Sequence, residues 1–273
     1  MRVDVYLAQK QYVTSRTRAQ QLIAEGKVML DGETVLRPKQ EVDEASEHTV
    51  HIAQDDGFVG RGAYKLEAAL DAFGIDVARA WALDIGASTG GFTDCLLRRG
   101  AARVYAVDAG YGQLADKLVR DERVVNLERC NARYLTADVL GEEFIAHGGA
   151  DIAVMDVSFI SQTYILGALV PLLCDSGRIV SLIKPQFELD KQEVGKGGIV
   201  RKQASRRKAV SRVLSGAADV GLVCQGMIVS PIQGGDGNVE YLALWTKAGP
   251  NDQSRLTEQK IQGDRCFAAD LFE

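Results

Sequence analysis

Long apolar runs are what this 273-residue chain most lacks. The longest, near Ile165–Cys174, falls short of the ~20 residues that a membrane span needs, and Gly167 and Pro171 interrupt it. The opening Met1-Arg2-Val3-Asp4 puts an acid where a secretory leader has its apolar core. Cysteine is sparse and dispersed. Cys95, Cys130, Cys174, Cys224 and Cys266 form no Cys-x-x-Cys pair, which argues against a disulfide scaffold and against a zinc site. A basic excess is missing too: 32 Lys and Arg stand against 37 Asp and Glu, a net charge of −5. That excludes a uniformly basic nucleic-acid coat but leaves room for a local basic face. A soluble, cytoplasmic protein with no membrane segment and no metal is expected, with its oligomeric state open.

What is present is ordinary globular composition, 46% hydrophobic and 25% charged. The length fits one large domain with a small companion. Composition divides the chain into a short charged segment 1–55, a linker 56–62, an α/β body 63–247 and a polar tail 248–273 without sustained periodicity.

In the first segment, Asp4–Gln9 reads as a short helix. Ser15 reads as the N-cap of a second helix, Arg16–Glu25, with Ala19, Leu22 and Ile23 on one face and Gly26 as its C-cap. Val28 and Leu30 alternate with Met29, and Asp31-Gly32 is a tight-turn signal before a strand Thr34–Leu36. The order is helix, helix, hairpin. Arg16, Arg18, Lys27, Arg37 and Lys39 outnumber Glu25, Asp31 and Glu33 here, while Glu41, Asp43, Glu44 and Glu47 gather beyond. Charge alone fits a solvated surface equally well. The pattern Arg2, Leu7, Ser15-Arg16-Thr17-Arg18-Ala19, Ile23, Gly26, Val28 and Asp31-Gly32, however, resembles an S4 RNA-binding domain. That resemblance implies that Arg16, Arg18 and Lys27 meet the phosphates of a structured RNA, recognised by shape.

Residues 81–92, Trp-Ala-Leu-Asp-Ile-Gly-Ala-Ser-Thr-Gly-Gly-Phe, read as strand, glycine-rich turn and helix. This geometry brings backbone close to a nucleotide-like ligand at the carboxyl end of a parallel sheet. A second strand, Val104–Val107, ends in Asp108, about 20 residues beyond Gly86, where an acid can hold a ribose diol. Ser88 stands at the middle position of Gly-x-Gly-x-x-Gly, between Gly86 and Gly91, so the glycine that admits a pyrophosphate is missing. Asp84, just before the turn, would repel pyrophosphate and suits a ligand bearing an ammonium and a sulfonium. S-adenosylmethionine is therefore preferred to NAD, although a turn that merely closes a strand–helix corner stays open. Further strands at Val124–Leu127, Ala150–Met155 and Arg178–Ile183, a helix over 203–220 and a closing strand pair, Val223–Val229 and Val239–Trp245, complete a doubly wound α/β methyltransferase pattern. Gly234-Gly235-Asp236-Gly237 turns between that pair. Arg206, Arg207, Lys208 and Arg212 share the outer face of the long helix and read as solvated, with added phosphate contacts as the alternative.

Four charged residues stand out. Lys65 opens a helix carrying Leu66, Ala69 and Leu70. Asp156 and Lys184 end successive strands, where a parallel sheet opens its ligand crevice. Glu240 lies in the final hairpin. Singly, each fits a solvated strand end; together, beside the glycine loop, they favour a site. An in-line methyl transfer needs alignment and is helped by a base, and lysine serves when burial or neighbouring cations favour its neutral form.

Lys65, Asp156, Lys184 and Glu240 also match the Lys-Asp-Lys-Glu tetrad of FtsJ-like ribose 2′-O-methyltransferases. Together with the S4 pattern, Asp84–Phe92, Tyr111–Leu114, Asn131–Arg133, Asp156–Ser161, Lys184–Glu188 and Gly237–Tyr241, they resemble the TlyA family over nearly residues 1–246. The resemblance implies S-adenosylmethionine-dependent 2′-O-methylation of cytidine in ribosomal RNA of folded 30S or 50S subunits. It implies that Gly86, Ser88, Gly90, Phe92, Asp108 and Asn131 hold the cofactor, with Ala87 and Gly91 in the same loop. Lys184 would be the base, Lys65 and Glu240 would orient the ribose, and Asp156 would hold Lys184 and the donor. Departures are Thr89, where the wider pattern often has proline, and Gly60 and Ala63 before Lys65. Proteins of this family have also been called haemolysins, so a membrane-active protein is one alternative; a non-catalytic RNA-binding protein and an NAD enzyme are others.

Overall fold

The computed structural model describes residues 1–13, 15–24, 27–44, 46, 48–52, 58–234 and 237–262. Glu25, Gly26, Glu47, Gly235, Asp236, Cys266 and positions 55–57 of the boundary region lie outside them. The chain divides into two compact units, Met1–Gly57 and Phe58–Glu273.

The first unit holds helices α1 (Val3–Gln9) and α2 (Arg16–Ala24) and strands β1 (Val28–Leu30), β2 (Glu33–Thr34) and β3 (Val50–Ile52). The Arg18 amide donates to Ser15 Oγ at 3.1 Å, so Ser15 caps α2 as its position predicts. Asp31 and Gly32 both take positive φ, +52° and +85°, the two-residue turn that matches hairpin twist. Val3, Tyr6, Leu7, Ala19, Leu22, Ile23 and Val28 form the core. Two expectations change. The strand after the turn ends at Thr34 rather than Leu36. The sheet also gains β3, antiparallel to β1, whose three residues are too few to give a periodic signal.

In the second unit, α3 (Gly62–Ala72) precedes β4 (Trp81–Ile85), α4 (Gly91–Arg98), β5 (Arg103–Val107), α5 (Asp116–Val119) and β6 (Val124–Leu127). There follow α6 (Ala137–Leu140), α7 (Glu142–His147), β7 (Ala150–Met155), α8 (Thr163–Leu169), β8 (Leu173–Ile183) and α9 (Pro185–Glu188). The chain then runs through α10 (Gln203–Asp219), β9 (Leu222–Val229), β10 (Tyr241–Lys247) and α11 (Gln253–Gln262). One seven-stranded sheet runs β6-β5-β4-β7-β8-β10-β9. Its first five strands are parallel, and β10 is antiparallel to both neighbours. The inner parallel strands β4, β5 and β7 are buried almost throughout, with helices over both faces, and β8 is buried from Ile179 onward. This is the doubly wound methyltransferase arrangement the strand–helix succession predicts.

Four expectations are corrected. The strand ending at Ile183 begins at Leu173, and β10 begins at Tyr241 rather than Val239. Arg206 is not on a solvated face: it is buried and donates to the Arg201 carbonyl at 2.9 Å. The polar tail holds α11, docked through the buried Gln259. Its amide donates to the Leu214 and Leu222 carbonyls at 2.9 and 3.0 Å and accepts the Cys224 amide at 2.9 Å. A polar anchor leaves no apolar stripe for the sequence to display.

Candidate active site

Strand register gathers the expected residues on one edge. Ile85 pairs with Val107 and with Met155, so Gly86, Asp108 and Asp156 emerge side by side. The Gly86 amide donates to Val107 O at 2.8 Å and the Asp156 amide to Ile85 O at 3.0 Å, knitting the strand ends together. Because β10 runs back against β8 with Tyr241 opposite Ile183, Glu240 comes to the edge where Lys184 leaves.

The four charged residues form two ion pairs. Lys184 Nζ lies 2.6 Å from Asp156 Oδ1 and donates to Ser158 Oγ at 2.9 Å. Lys65 Nζ lies 2.5 Å from Glu240 Oε2, with the two side chains only 10% and 2% exposed. Lys184 and Asp156 line a cavity of about 250 Å³ with Gly86, Ser88 and Phe92 of the glycine loop. Lys65 and Glu240 do not line it. Gly62, one helical turn before Lys65, abuts the site instead: a side chain there would meet Asp156 Oδ2 at 3.7 Å.

A second cavity of about 480 Å³ shares Gly86, Ser88, Asp156 and Ser158 with the first and adds Asp108, Asn131 and Phe159. The glycine loop is shaped for its place. Gly86 takes φ +82°, and a side chain there would lie 2.7 Å from the Asp156 carbonyl. Asp108 locks the loop by accepting the Ser88 amide at 2.8 Å and the Gly110 amide at 2.6 Å. Asn131 Oδ1 accepts the Arg133 amide at 3.1 Å. Ala87, Thr89 and Gly91 also line the first cavity.

Two expected ligand contacts are not among the lining residues. Gly90 takes φ +94° at the start of α4, and a side chain there would strike Leu118 and Leu114, so packing demands the glycine. Asp84 lies fully buried beneath the loop, where Thr93 Oγ1 donates to its Oδ2 at 2.6 Å. Burial pushes the Asp84 carboxyl up to about 7, against the opposing Thr93 bond and with Asp156 and Asp108 adding to the rise. Asp84 Oδ1 is buried with no hydrogen-bond partner. The acid that a ligand would meet is Asp156, which lines both cavities, so the site fits a cationic ligand.

Because the folded-state pKa lies above the usual 3.8, the unfolded chain releases this proton first as pH rises. Stability from this group therefore falls between about pH 4 and 7 and is flat above. Asp84→Asn is expected to remove that slope. Melting temperatures of wild type and variant at pH 5 and 7.5 check it: the wild type should lose more than the variant on raising the pH, and parallel losses would contradict the assignment.

In the first unit, Asp4 is buried and accepts Arg2, Arg16 and Gln20. Burial alone would raise its carboxyl, but the three donors hold it at about 2. Arg16, expected on phosphate, therefore also has an internal partner, its Nε 3.0 Å from Asp4 Oδ2. Arg18 and Lys27 are half-buried, and Arg37 and Lys39 are exposed.

Sequence reasoning missed Thr93 and, although the motifs Asp156–Ser161 and Lys184–Glu188 contain them, gave no role to Ser158, Phe159 or Glu188. Phe159 is 91% exposed at φ +65°, its ring centroid 5.1 Å from that of Phe187 at the cavity's rim. It falls within the Asp156–Ser161 motif, but its exposure comes only with the fold. Among the described residues no helix is long and apolar enough to cross a membrane, and no group of three or more His, Cys, Asp or Glu is placed to hold a metal.

Residues 58–247 match the FtsJ-like methyltransferase family and residues 1–48 the S4 domain. The chain is 46% identical over 246 residues to the 16S/23S rRNA (cytidine-2′-O)-methyltransferase TlyA of Mycobacterium tuberculosis, covering 90% of this chain and 89% of that protein. It is 40% identical to Hemolysin A of Brachyspira hyodysenteriae, covering 89% and 98%. A solved structure with a hemolysin name, from Streptococcus thermophilus, superposes with a TM-score of 0.69 at 36% identity over 98% of both chains. An S4 domain ahead of an FtsJ-like body, with this identity sustained across nearly the whole length, makes the chain a member of the TlyA family of FtsJ-like methyltransferases.

Proposed function

We propose that this enzyme methylates the ribose 2′-hydroxyl of a cytidine in ribosomal RNA, in folded 30S or 50S subunits in the cytoplasm, with S-adenosylmethionine as donor. The observation that carries the reading is the Lys184–Asp156 pair, which opens onto a cavity continuous with the glycine loop. Two carboxylates, Asp108 and Asp156, line the cavity beside that loop and oppose a pyrophosphate, which disfavours NAD. S-adenosylmethionine supplies the methyl as a sulfonium, the electrophile of an in-line displacement.

The chain's residues do the rest. Gly86, Ser88 and Phe92 border the donor cavity, Asp108 and Asn131 hold the ribose and adenine end, and Asp156 meets the ammonium. Lys184 aligns the acceptor oxygen, and the Lys184–Asp156 couple takes its proton as the new oxygen–carbon bond forms. Lys65 and Glu240, buried rather than lining the cavity, brace the start of α3 against Asp156. Exposed Phe159 offers a ring on which a splayed-out base stacks. Arg16, Arg18 and Lys27 of the S4 unit supply phosphate contacts.

Incubation with tritiated donor and separately purified 30S subunits, 50S subunits and naked RNA tests the reading. Label on a cytidine ribose, greater on a folded subunit than on naked RNA, is expected. Absence of label on every substrate would overturn it, as would red-cell lysis that persists unchanged in Lys184→Ala.

A further inference from the structure

Glu188 has no role in the reading above, yet it is a buried carboxylate beside the site, and such a group is costly unless its oxygens are bonded. Its side chain is 2% exposed, at the last position of α9, four residues beyond Lys184. Ser161 Oγ donates to Glu188 Oε2, and the Gln162 amide donates to Oε1 at 3.0 Å. Ser161 Oγ is in turn 2.8 Å from Thr163 Oγ1. From behind, Arg212 Nη1 donates to the Glu188 carbonyl at 2.9 Å, fixing the end of α9 to α10.

Segments 156–163 and 184–188 are thus joined at both ends. At one end Lys184 holds Asp156 and Ser158. At the other, Glu188 holds Ser161 and Gln162. Between them Phe159 keeps a positive φ and packs on Phe187. A loop anchored only at Lys184 would be free to pivot about that one side chain. Two anchors fix its register.

We infer that Glu188 is a positioning residue for methyl transfer, clamping the 156–163 loop so that Asp156, Ser158 and Phe159 are held against Lys184. The inference rests on the methyltransferase reading. The competing account is that Glu188 only caps α8, whose own preceding residue, Gln162, offers no side-chain cap. The two differ in what they do to turnover. Misplacement by ~1 Å at a reacting group costs on the order of 10²-fold in rate, whereas a lost cap costs only stability.

The test compares Glu188→Ala, Glu188→Gln and Ser161→Ala for melting temperature, donor affinity by calorimetry, and kcat and KM on the ribosomal substrate. Glu188→Ala is expected to lower kcat on the order of 10²-fold, with donor affinity and KM within about threefold. Glu188→Gln, whose amide oxygen still accepts the Gln162 amide, is expected to recover at least about tenfold of that loss. A lower melting temperature with wild-type kcat overturns the inference, as does a loss confined to donor affinity or KM. If Glu188→Ala does not fold, Ser161→Ala decides: reduced kcat supports the clamp and unchanged kcat refutes it. Wild-type protein that methylates no substrate sinks the underlying reading instead, so the two failures are distinguishable.

Discussion

Lys184→Ala is expected to lower methyl transfer by roughly 10³-fold while donor affinity stays within a few-fold. In the proposed mechanism Lys184 belongs to the couple that accepts the proton, and a positioned proton acceptor contributes ~10²–10⁴ in rate, so its expected effect falls in the middle of that range. The geometry behind this is specific. Nζ reaches both Asp156 Oδ1 at 2.6 Å and Ser158 Oγ at 2.9 Å, so one substitution breaks the proton-accepting couple and removes one anchor of the loop on which both partners sit. The glycine loop and its Asp108 lock make no use of Lys184, which is why donor binding survives. Lys184→Arg is expected to rescue little, because guanidinium is larger, planar and effectively always protonated. Single-turnover transfer from labelled donor, beside calorimetry with S-adenosylhomocysteine, reads both quantities. Turnover in Lys184→Ala within tenfold of wild type would remove this residue from the chemistry.

Lys65→Met is expected to destabilise the larger unit by about 3–5 kcal/mol, the usual cost of leaving one member of a buried pair uncompensated. Glu240 would remain 2% exposed with its 2.5 Å partner gone. In a unit of this size that corresponds to a fall in melting temperature of roughly 10 °C. The double variant Lys65→Met/Glu240→Gln is expected to recover most of the stability, because no isolated charge is left. It should not recover transfer if the pair braces α3 against Asp156. Thermal melts of wild type, both single variants and the double variant give the coupling energy directly. Recovery of both stability and turnover would show the pair to be structural alone, and undiminished stability in Lys65→Met would contradict the burial argument.

How much of this was legible beforehand depended on whether a residue announces itself locally. Asp156 and Lys184 each end an apolar run, and β7 and the Ile179–Ile183 stretch of β8 are buried, so their ends and their shared edge followed from pattern. Gly86 was legible because a turn between strand and helix demands positive φ. Glu188 and Gln259 were not, because a buried polar residue is written no differently from an exposed one. Asp84 shows a subtler gap: its place before the turn was readable, but its depth, and hence a carboxyl raised to about 7, came only with the fold. Arg16 illustrates the same limit on the S4 unit, where a cation that reads as a phosphate contact has an internal acid 3.0 Å away.

The reversed direction of β10 bears on how the chain is made. Lys65 emerges from the ribosome 175 residues ahead of Glu240, its only acid partner in the structure described. Until that last strand threads back along β8, the ammonium at the head of α3 has no counter-charge, and shutting it away from water is unfavourable. Completion of the reactive edge is therefore a late event of biosynthesis, and nascent chains halted before residue 240 should hold a formed S4 unit but remain inert.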